Sequence, residues 1–169
     1  LAKEMGCVAM SVGVESGNEE IRKNLKRRYK EDWLIKSFNW MHDAGIRIST
    51  FNMIGCPGET RENVFETIKK LSPDLLITIA YGGLIPQKIL DIPRCESINI
   101  HPSLLPLWRG ASPIQSAILN GDTKTGISLI RMTPELDAGP IFAVTETSID
   151  PEENTLTLSN RLANMSAIL

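Results

Sequence analysis

Three polar residues near the ends of predicted strands offer the clearest chemistry in this sequence. Asn99 and His101 lie two positions apart in Ser97-Ile-Asn-Ile-His, so on an extended strand their side chains point to the same face. Asp137 follows downstream in Glu135-Leu-Asp-Ala-Gly-Pro140. An amide, an imidazole and a carboxylate that converge at strand ends are suited to acyl transfer, which needs oxyanion stabilisation and proton movement. The pattern therefore predicts an acyl-transfer site.

Strands alternate with helices along the whole chain, and these elements must position the three residues. The apolar and β-branched runs that predict strands are Cys7–Val14, Ile46–Ile54, Asp74–Ala80, Ser97–Ile100, Thr125–Met132 and Ile141–Ile149. The segments that predict helices begin at Asn18 and Thr60 or span Asp32–Ala44, Pro86–Leu90, Pro113–Leu119 and Thr155–Ile168. Alternation of this kind predicts an α/β protein with mainly parallel strands.

Size and charge limit the classes of function. The 169 residues fit one domain or two incomplete ones, and a hydrophobic content of 42% is sufficient for a buried core. A formal net charge of -2 argues against a chain that binds nucleic acid through its overall charge. The segment Arg22–Lys30 holds six basic residues, which fit either a solvated helix face or a patch that contacts RNA.

Cysteine usage and hydropathy predict a cytoplasmic protein. Cys7, Cys56 and Cys95 are far apart without a Cys-x-x-Cys pair, which predicts reduced thiols and no zinc site. No apolar run approaches the ~20 residues that span a bilayer, so no membrane partner is expected. The opening Leu1-Ala-Lys-Glu has the pattern of a helix end, and we expect a fragment at the N-terminus.

From about Lys70 onward, the chain resembles the catalytic domain of the methionyl-tRNA formyltransferase family. The matching motifs are Pro73-Asp-Leu-Leu-Ile, Ala80-Tyr-Gly-Gly-Leu-Ile-Pro86, Asn99-Ile-His101, Ser103-Leu-Leu-Pro106, Trp108-Arg-Gly-Ala-Ser-Pro-Ile-Gln115 and Leu136-Asp-Ala-Gly-Pro140. The wider folate-dependent formyltransferases share the Asn/His/Asp set and the Ser-Leu-Leu-Pro loop. For residues 71–169 the resemblance implies part of a Rossmann-like catalytic domain that transfers a formyl group from 10-formyltetrahydrofolate to an amine.

The resemblance also implies roles for individual residues. Asn99 would donate to the oxyanion, and His101 would stabilise it or move a proton, since imidazole titrates close to neutral pH. Asp137 would raise the basicity of that imidazole, orient it, or position a water molecule. The residues expected to contact or surround the folate are Leu84, Ile85, Pro86, Ser103, Leu104, Leu105 and Pro106. No metal is expected.

Compared with that family, we expect the sequence to lack two parts, namely the Gly-rich first half of the Rossmann-like domain and the C-terminal domain that helps to hold tRNA. The implied acceptor is the methionyl group of initiator tRNA, and loss of the second domain would weaken that partnership. Tyr81 fits a half-buried aromatic residue with a solvated hydroxyl and is not counted in the site. Arg109 fits either a carboxylate partner or an RNA-phosphate contact, and this choice stays open.

Residues 1 to about 70 resemble a different enzyme, the later part of a radical S-adenosylmethionine barrel. The matching motifs are Val12-Gly-Val-Glu-Ser-Gly17, Ala44-Gly-Ile46 and Met53-Ile-Gly-Cys-Pro-Gly-Glu-Thr60. The resemblance implies βα units of a partial TIM-type barrel, with Glu15 and Ser16 at the carboxyl end of a strand. The Cys-x3-Cys-x2-Cys motif that holds the iron–sulfur cluster in that family is absent, so no cluster is expected.

Three interpretations follow from the two resemblances. The chain is a formyltransferase fragment whose missing half is replaced by the βα units of residues 1–70. Alternatively, it is a remnant of a radical enzyme that lacks its cluster motif and carries a formyltransferase tail. A third interpretation is an inactive chimera in which neither motif set is complete. The presence of Asn99, His101 and Asp137 favours formyltransferase ancestry among the three.

Overall fold

The computed structural model describes residues 2–168 and divides into two compact units, Leu1–Ser72 and Pro73–Leu169. The first unit contains β1 (Ala9–Glu15), α1 (Glu19–Asn24), α2 (Glu31–Asp43), β2 (Arg47–Asn52) and α3 (Arg61–Leu71). Leu1 lies outside the described residues, and the remainder of the predicted helix end, residues 2–4, is part of a run of turns over residues 2–6. No helix among the described residues has the length and apolar character needed to span a bilayer.

In the first unit, β1 and β2 form a parallel pair that starts with Ala9 opposite Arg47. The starts of α1 and α3 are fixed by side chains: Asn18 accepts from two backbone N–H groups of α1, and Thr60 forms a capping box with Asn63. The predicted apolar stripe of α2 is only partly directed inward. Phe38 is half-buried, but Trp33 is exposed.

The second unit contains β3 (Leu75–Ile79), α4 (Gln87–Leu90), β4 (Glu96–His101), α5 (Pro113–Leu119), β5 (Lys124–Arg131), β6 (Ile141–Ser148) and α6 (Thr155–Ser166). Its four strands follow the order β3-β4-β5-β6. The β3–β4 pair is parallel, and β5 and β6 are added in antiparallel directions. The α/β class is therefore confirmed, with an antiparallel half that the helix–strand alternation does not reveal.

The hydrophobic core of the second unit lies between α6 and the sheet. Ile127 of β5 packs with Leu158 and Leu162 of α6, and all three side chains are buried. Half-buried apolar residues of the neighbouring elements complete the cluster: Ile100, Ile114, Ile118, Ile149 and Met165. Because Ile100 adjoins His101 on β4, this core fixes the strand that carries two of the predicted site residues.

Candidate functional site

The structure brings Asn99, His101 and Asp137 together at the end of β4. The Asn99 side-chain amide donates a 3.0 Å hydrogen bond to Oδ1 of Asp137. Nδ1 of His101 lies 3.5 Å from Oδ2 of the same carboxylate. Both β4 side chains therefore face the segment that carries Asp137, as residues two apart on a strand must.

The Asp137 carboxylate is held by the backbone as well as by β4. The N–H of Gly110 donates to its Oδ2 at 2.9 Å. Asp137 has φ +47°, in the left-handed region that Asp tolerates better than most residues. Two positions later, a Cβ at Gly139 would overlap the carbonyl oxygen of Arg131, so the loop lies directly against β5 and only glycine fits there.

The imidazole of His101 is buried between the carboxylate and a backbone carbonyl. Nε2 lies 2.9 Å from the carbonyl oxygen of Trp108. Because a carbonyl oxygen can only accept, Nε2 must carry a proton in this contact. Nδ1 then faces Asp137. The Nε2 contact therefore sets the orientation of the ring, and Nδ1 lies beside the carboxylate.

A cleft in the second unit reaches two of these three residues. It is shallow, with a cavity volume of about 20 Å³, and it opens to solvent. Asn99 and Asp137 line it, together with the predicted folate contacts Leu84 and Ile85. His101 lies behind them and does not line the cleft. Any ligand in this cleft would meet the amide and the carboxylate directly.

The remaining predicted folate residues, Pro86 and the Ser103–Pro106 loop, do not line the cleft. The loop is fastened to β5: Ser128 Oγ donates to the Ser103 carbonyl at 2.7 Å and accepts from the Leu105 N–H at 3.1 Å. Ser103 Oγ in turn donates to the Leu107 carbonyl at 2.6 Å. These bonds give the loop a fixed course between β4 and Trp108.

Sequence reasoning missed several residues of the site. Trp108 lies within a matched motif, but no pattern indicates that its carbonyl binds His101. Ser128 is a small polar residue in the otherwise apolar run Gly126–Ile130, which is the only sequence signal of its role. Tyr81, which the sequence analysis did not count in the site, lines the cleft. Arg109 is exposed, and its role stays open.

Glu15 and Ser16, the polar pair predicted from the radical-enzyme resemblance, lie at the end of β1 in the first unit. Glu15 pairs with Arg27 at 2.9 Å. Ser16 is buried, and its Oγ donates to Glu59 at 3.3 Å. Next to it, the Gly17 N–H donates to Thr67 at 2.7 Å. These contacts are internal to the unit and fasten the end of β1 to α3 and the loop before it.

Comparison with known families places this site in context. The formyl transferase family model matches residues 40–168, more than half of the chain, and the chain belongs to that family. A radical SAM superfamily model matches residues 1–71, so residues 40–71 fall within both matches. The resemblance expected from the motifs is confirmed for both parts of the chain.

Curated relatives are methionyl-tRNA formyltransferases. The chain is 38% identical over 160 residues to the enzyme of Fusobacterium nucleatum subsp. nucleatum, covering 86% of this chain and 52% of that protein. It is 47% identical over 104 residues to the enzyme of Ehrlichia ruminantium, covering 62% of this chain and 34% of that protein. The chain thus spans between about a third and a half of these relatives' length.

Solved structures show the same fold. Phosphoribosylglycinamide formyltransferase from Bacillus halodurans superposes with a TM-score of 0.62 and 21% identity, covering 95% of this chain and 90% of that one. Glycinamide ribonucleotide transformylase 1 from Symbiobacterium toebii gives 0.62 and 18% identity, covering 96% of this chain and 84% of that one. The fold is the Rossmann-like α/β fold of formyltransferases.

Proposed function

We propose that the site transfers a formyl group from 10-formyltetrahydrofolate to an amine. The observation that carries this proposal is the contact between Asn99 and Asp137 at the wall of a partly apolar cleft. The cleft offers an apolar surface for a flat ring system at Leu84 and Ile85, and a donor and a carboxylate beside it. Membership of the formyl transferase family supports the same chemistry.

Asn99 is suited to stabilise the oxyanion. When the amine nitrogen attacks the formyl carbon, the C=O π pair moves onto oxygen and leaves a tetrahedral oxyanion. The side-chain amide of Asn99 has two N–H bonds, and only one is used on Asp137. The second can donate to the oxyanion, a type of contact whose removal typically costs about 10²–10³-fold in kcat.

Asp137 and His101 are suited to move the proton. The attacking amine must lose a proton, and Asp137 accepts it directly or through a water molecule. Once Asp137 carries that proton, its O–H can donate to Nδ1 of His101, which lies 3.5 Å from Oδ2 and is free to accept when the ring proton is on Nε2. The oxyanion then collapses, the C=O bond re-forms, the bond to N10 of the folate breaks, and N10 takes up the proton that Asp137 received, directly or through a water molecule, which returns Asp137 to the carboxylate. The products are the formylated amine and tetrahydrofolate.

The proposed folate contacts fall into two groups. Leu84 and Ile85 line the cleft, and Pro86 follows them at the start of α4. Ser103, Leu104, Leu105 and Pro106 would act as a framework, because their loop leads from β4 toward Trp108, whose carbonyl binds His101. For the acceptor we propose the methionyl group of initiator tRNA, by analogy with the curated relatives.

The first experiment is thermal unfolding of the full chain with and without a non-reactive folate analogue. A ligand that binds only the native state raises the midpoint by mass action. A cooperative transition that shifts upward supports a working folate pocket, and His101→Ala should then abolish formyl transfer to methionyl-tRNA. A broad, ligand-insensitive transition would instead support an inactive chimera, and activity that survives His101→Ala would contradict the site.

We propose no radical chemistry for the first part of the chain. An iron–sulfur cluster needs several nearby thiolates, and Cys7, Cys56 and Cys95 do not form the Cys-x3-Cys-x2-Cys motif. Reconstitution of the full chain with iron and sulfide tests this prediction. A stable cluster absorbance after removal of free iron would overturn it.

A further inference from the structure

We propose that Asp122 is a positioning residue for His101 and acts through Trp108. The indole Nε1 of Trp108 donates to Oδ2 of Asp122 at 2.6 Å. The backbone carbonyl of the same tryptophan accepts from Nε2 of His101 at 2.9 Å. One residue therefore connects a carboxylate outside the cleft with the buried imidazole. The proposal rests on the proposed function, since it assigns a further residue to that site.

Trp108 needs an anchor because its backbone is unfavourable. Its φ is +58°, in the left-handed region that a bulky residue other than glycine adopts only when its surroundings hold it there. The direction of its carbonyl depends on that conformation. If the indole were released, residue 108 could return to a common backbone region and its carbonyl would turn away from His101.

Asp122 is well placed to hold the indole. It lies in the short turn between α5 and β5, and its own backbone N–H donates to the Ala117 carbonyl at 3.0 Å. Its second oxygen, Oδ1, accepts from the Asn120 amide at 2.6 Å. The carboxylate is thus fixed to the end of a helix, and an indole donating to a carboxylate makes a strong, charge-assisted hydrogen bond.

The competing explanation is that the flanking residues suffice to hold Trp108. On one side Ser103 binds the Leu107 carbonyl, and on the other Asp137 binds the Gly110 N–H. Under that explanation the indole contact is only a packing feature. The two explanations differ in what happens to the His101 ring when the contact is removed.

The ring nitrogens of histidine report this difference directly. Nitrogen-15 NMR distinguishes a protonated from an unprotonated ring nitrogen, and the chain has only two histidines. His42 has a side chain that is 88% exposed and serves as an internal reference. We expect Asp122→Ala to change the Nε2 signal of His101, through loss of its acceptor or exchange between tautomers, while His42 stays constant. Asp122→Asn retains one acceptor oxygen for the indole, and the exposed Asn120 amide can turn to solvent, so this variant should restore most of the wild-type signal.

Kinetics provide the second measurement. Asp122→Ala should lower kcat about 10-fold, with KM for the folate substrate within about 2-fold, because the loss is in the orientation of one catalytic group. Asp122→Asn should recover most of kcat. Asp91→Ala is the matched control, since Asp91 also accepts a side-chain hydrogen bond, from Gln87, but is exposed at the end of α4. It should leave the His101 signals and kcat unchanged.

Trp108→Phe tests the same contact from the other side and covers the case in which Asp122→Ala fails to fold. His101 signals that stay unchanged in folded Asp122→Ala or Trp108→Phe would overturn the proposal. If the wild-type chain transfers no formyl group, the proposed function fails, and the ring-nitrogen signals alone decide whether Asp122 positions His101.

Discussion

The side chain of Asn99 donates a 3.0 Å hydrogen bond to Asp137, which lies 38 positions further along the chain. The same carboxylate accepts from the Gly110 backbone and faces His101. Asp137 therefore joins three segments that are separate in sequence: β4, the loop that follows β4, and the loop that follows β5. The proposed catalytic groups and the structure that holds them depend on one carboxylate.

Replacement of Asp137 by asparagine tests the role of its carboxylate charge while the size of the side chain stays the same. The amide side chain would keep the volume but offer one acceptor oxygen where the structure uses two, so either Asn99 or Gly110 would lose its partner. We expect formyl transfer to fall by at least about 100-fold, the usual contribution of proton transfer. We also expect a loss of about 1–3 kcal/mol of stability from the unpaired donor.

Single-turnover kinetics and denaturant unfolding measure these two effects. Asp150→Asn is a suitable control, because Asp150 is an acidic residue outside the cleft. Full activity of Asp137→Asn at neutral pH would show that the carboxylate carries no proton in the reaction and would remove it from the proposed mechanism.

The sequence predicted which strand carries two of the proposed catalytic residues, because a period of two decides which side chains share a face. Asn99 and His101 could therefore be paired without a structure. The roles of Trp108 and Ser128 could not be predicted in this way. Trp108 acts through its backbone carbonyl on His101, 7 residues away, and Ser128 binds the Ser103 carbonyl, 25 residues away. No periodicity encodes such contacts. The motifs indicated where the loop lies but not what holds it.

Strand direction was harder to predict than strand position. A helix between two strands usually implies a parallel crossover, and α5 lies between β4 and β5. Here α5 has only seven residues, and the register pairs His101 at the end of β4 with Ser128 in β5. The chain therefore enters β5 at the same edge of the sheet at which it leaves β4, and the β4–β5 pair is antiparallel.

Gly139 provides a test of how closely the Asp137 loop must approach β5. An alanine Cβ there would overlap the Arg131 carbonyl, a backbone atom that cannot rotate away. We expect Gly139→Ala to destabilise the fold by about 2 kcal/mol or more, as overpacking does, and to displace Asp137. Differential scanning calorimetry of the variant measures the first effect, and the folate-analogue shift measures the second.

Gly82→Ala is the control for the Gly139 variant. A Cβ at Gly82 would meet the Ala111 side chain at 3.5 Å, an ordinary contact, and Gly82 does not have a positive φ. Its thermal midpoint should stay close to that of the wild type. Equal midpoints for Gly139→Ala and wild type would mean that the loop can move off β5 without cost, contrary to the close approach seen here.

The ion pair between Glu153 and Arg161 should make the second unit sensitive to acid. Arg161 donates to both carboxylate oxygens, at 3.0 and 2.7 Å, and also to the Ser148 carbonyl at 2.6 Å. The hydrogen bonds from Arg161 lower the pKa of Glu153 below its ordinary value of 4.5. A carboxyl whose pKa is lower in the folded state contributes stability that is present above its unfolded pKa and is lost as pH falls through its folded pKa.

The stability of the wild type should therefore fall more steeply than that of Glu153→Gln as pH drops from 7 to about 3, so their difference shrinks on acidification. Denaturant unfolding at a series of pH values measures this difference. Glu152→Gln is the matched control, because its exposed side chain is adjacent in sequence. Equal stability of wild type and Glu153→Gln at every pH would mean that Arg161 stabilises the turn through the Ser148 carbonyl and not through the charge on Glu153.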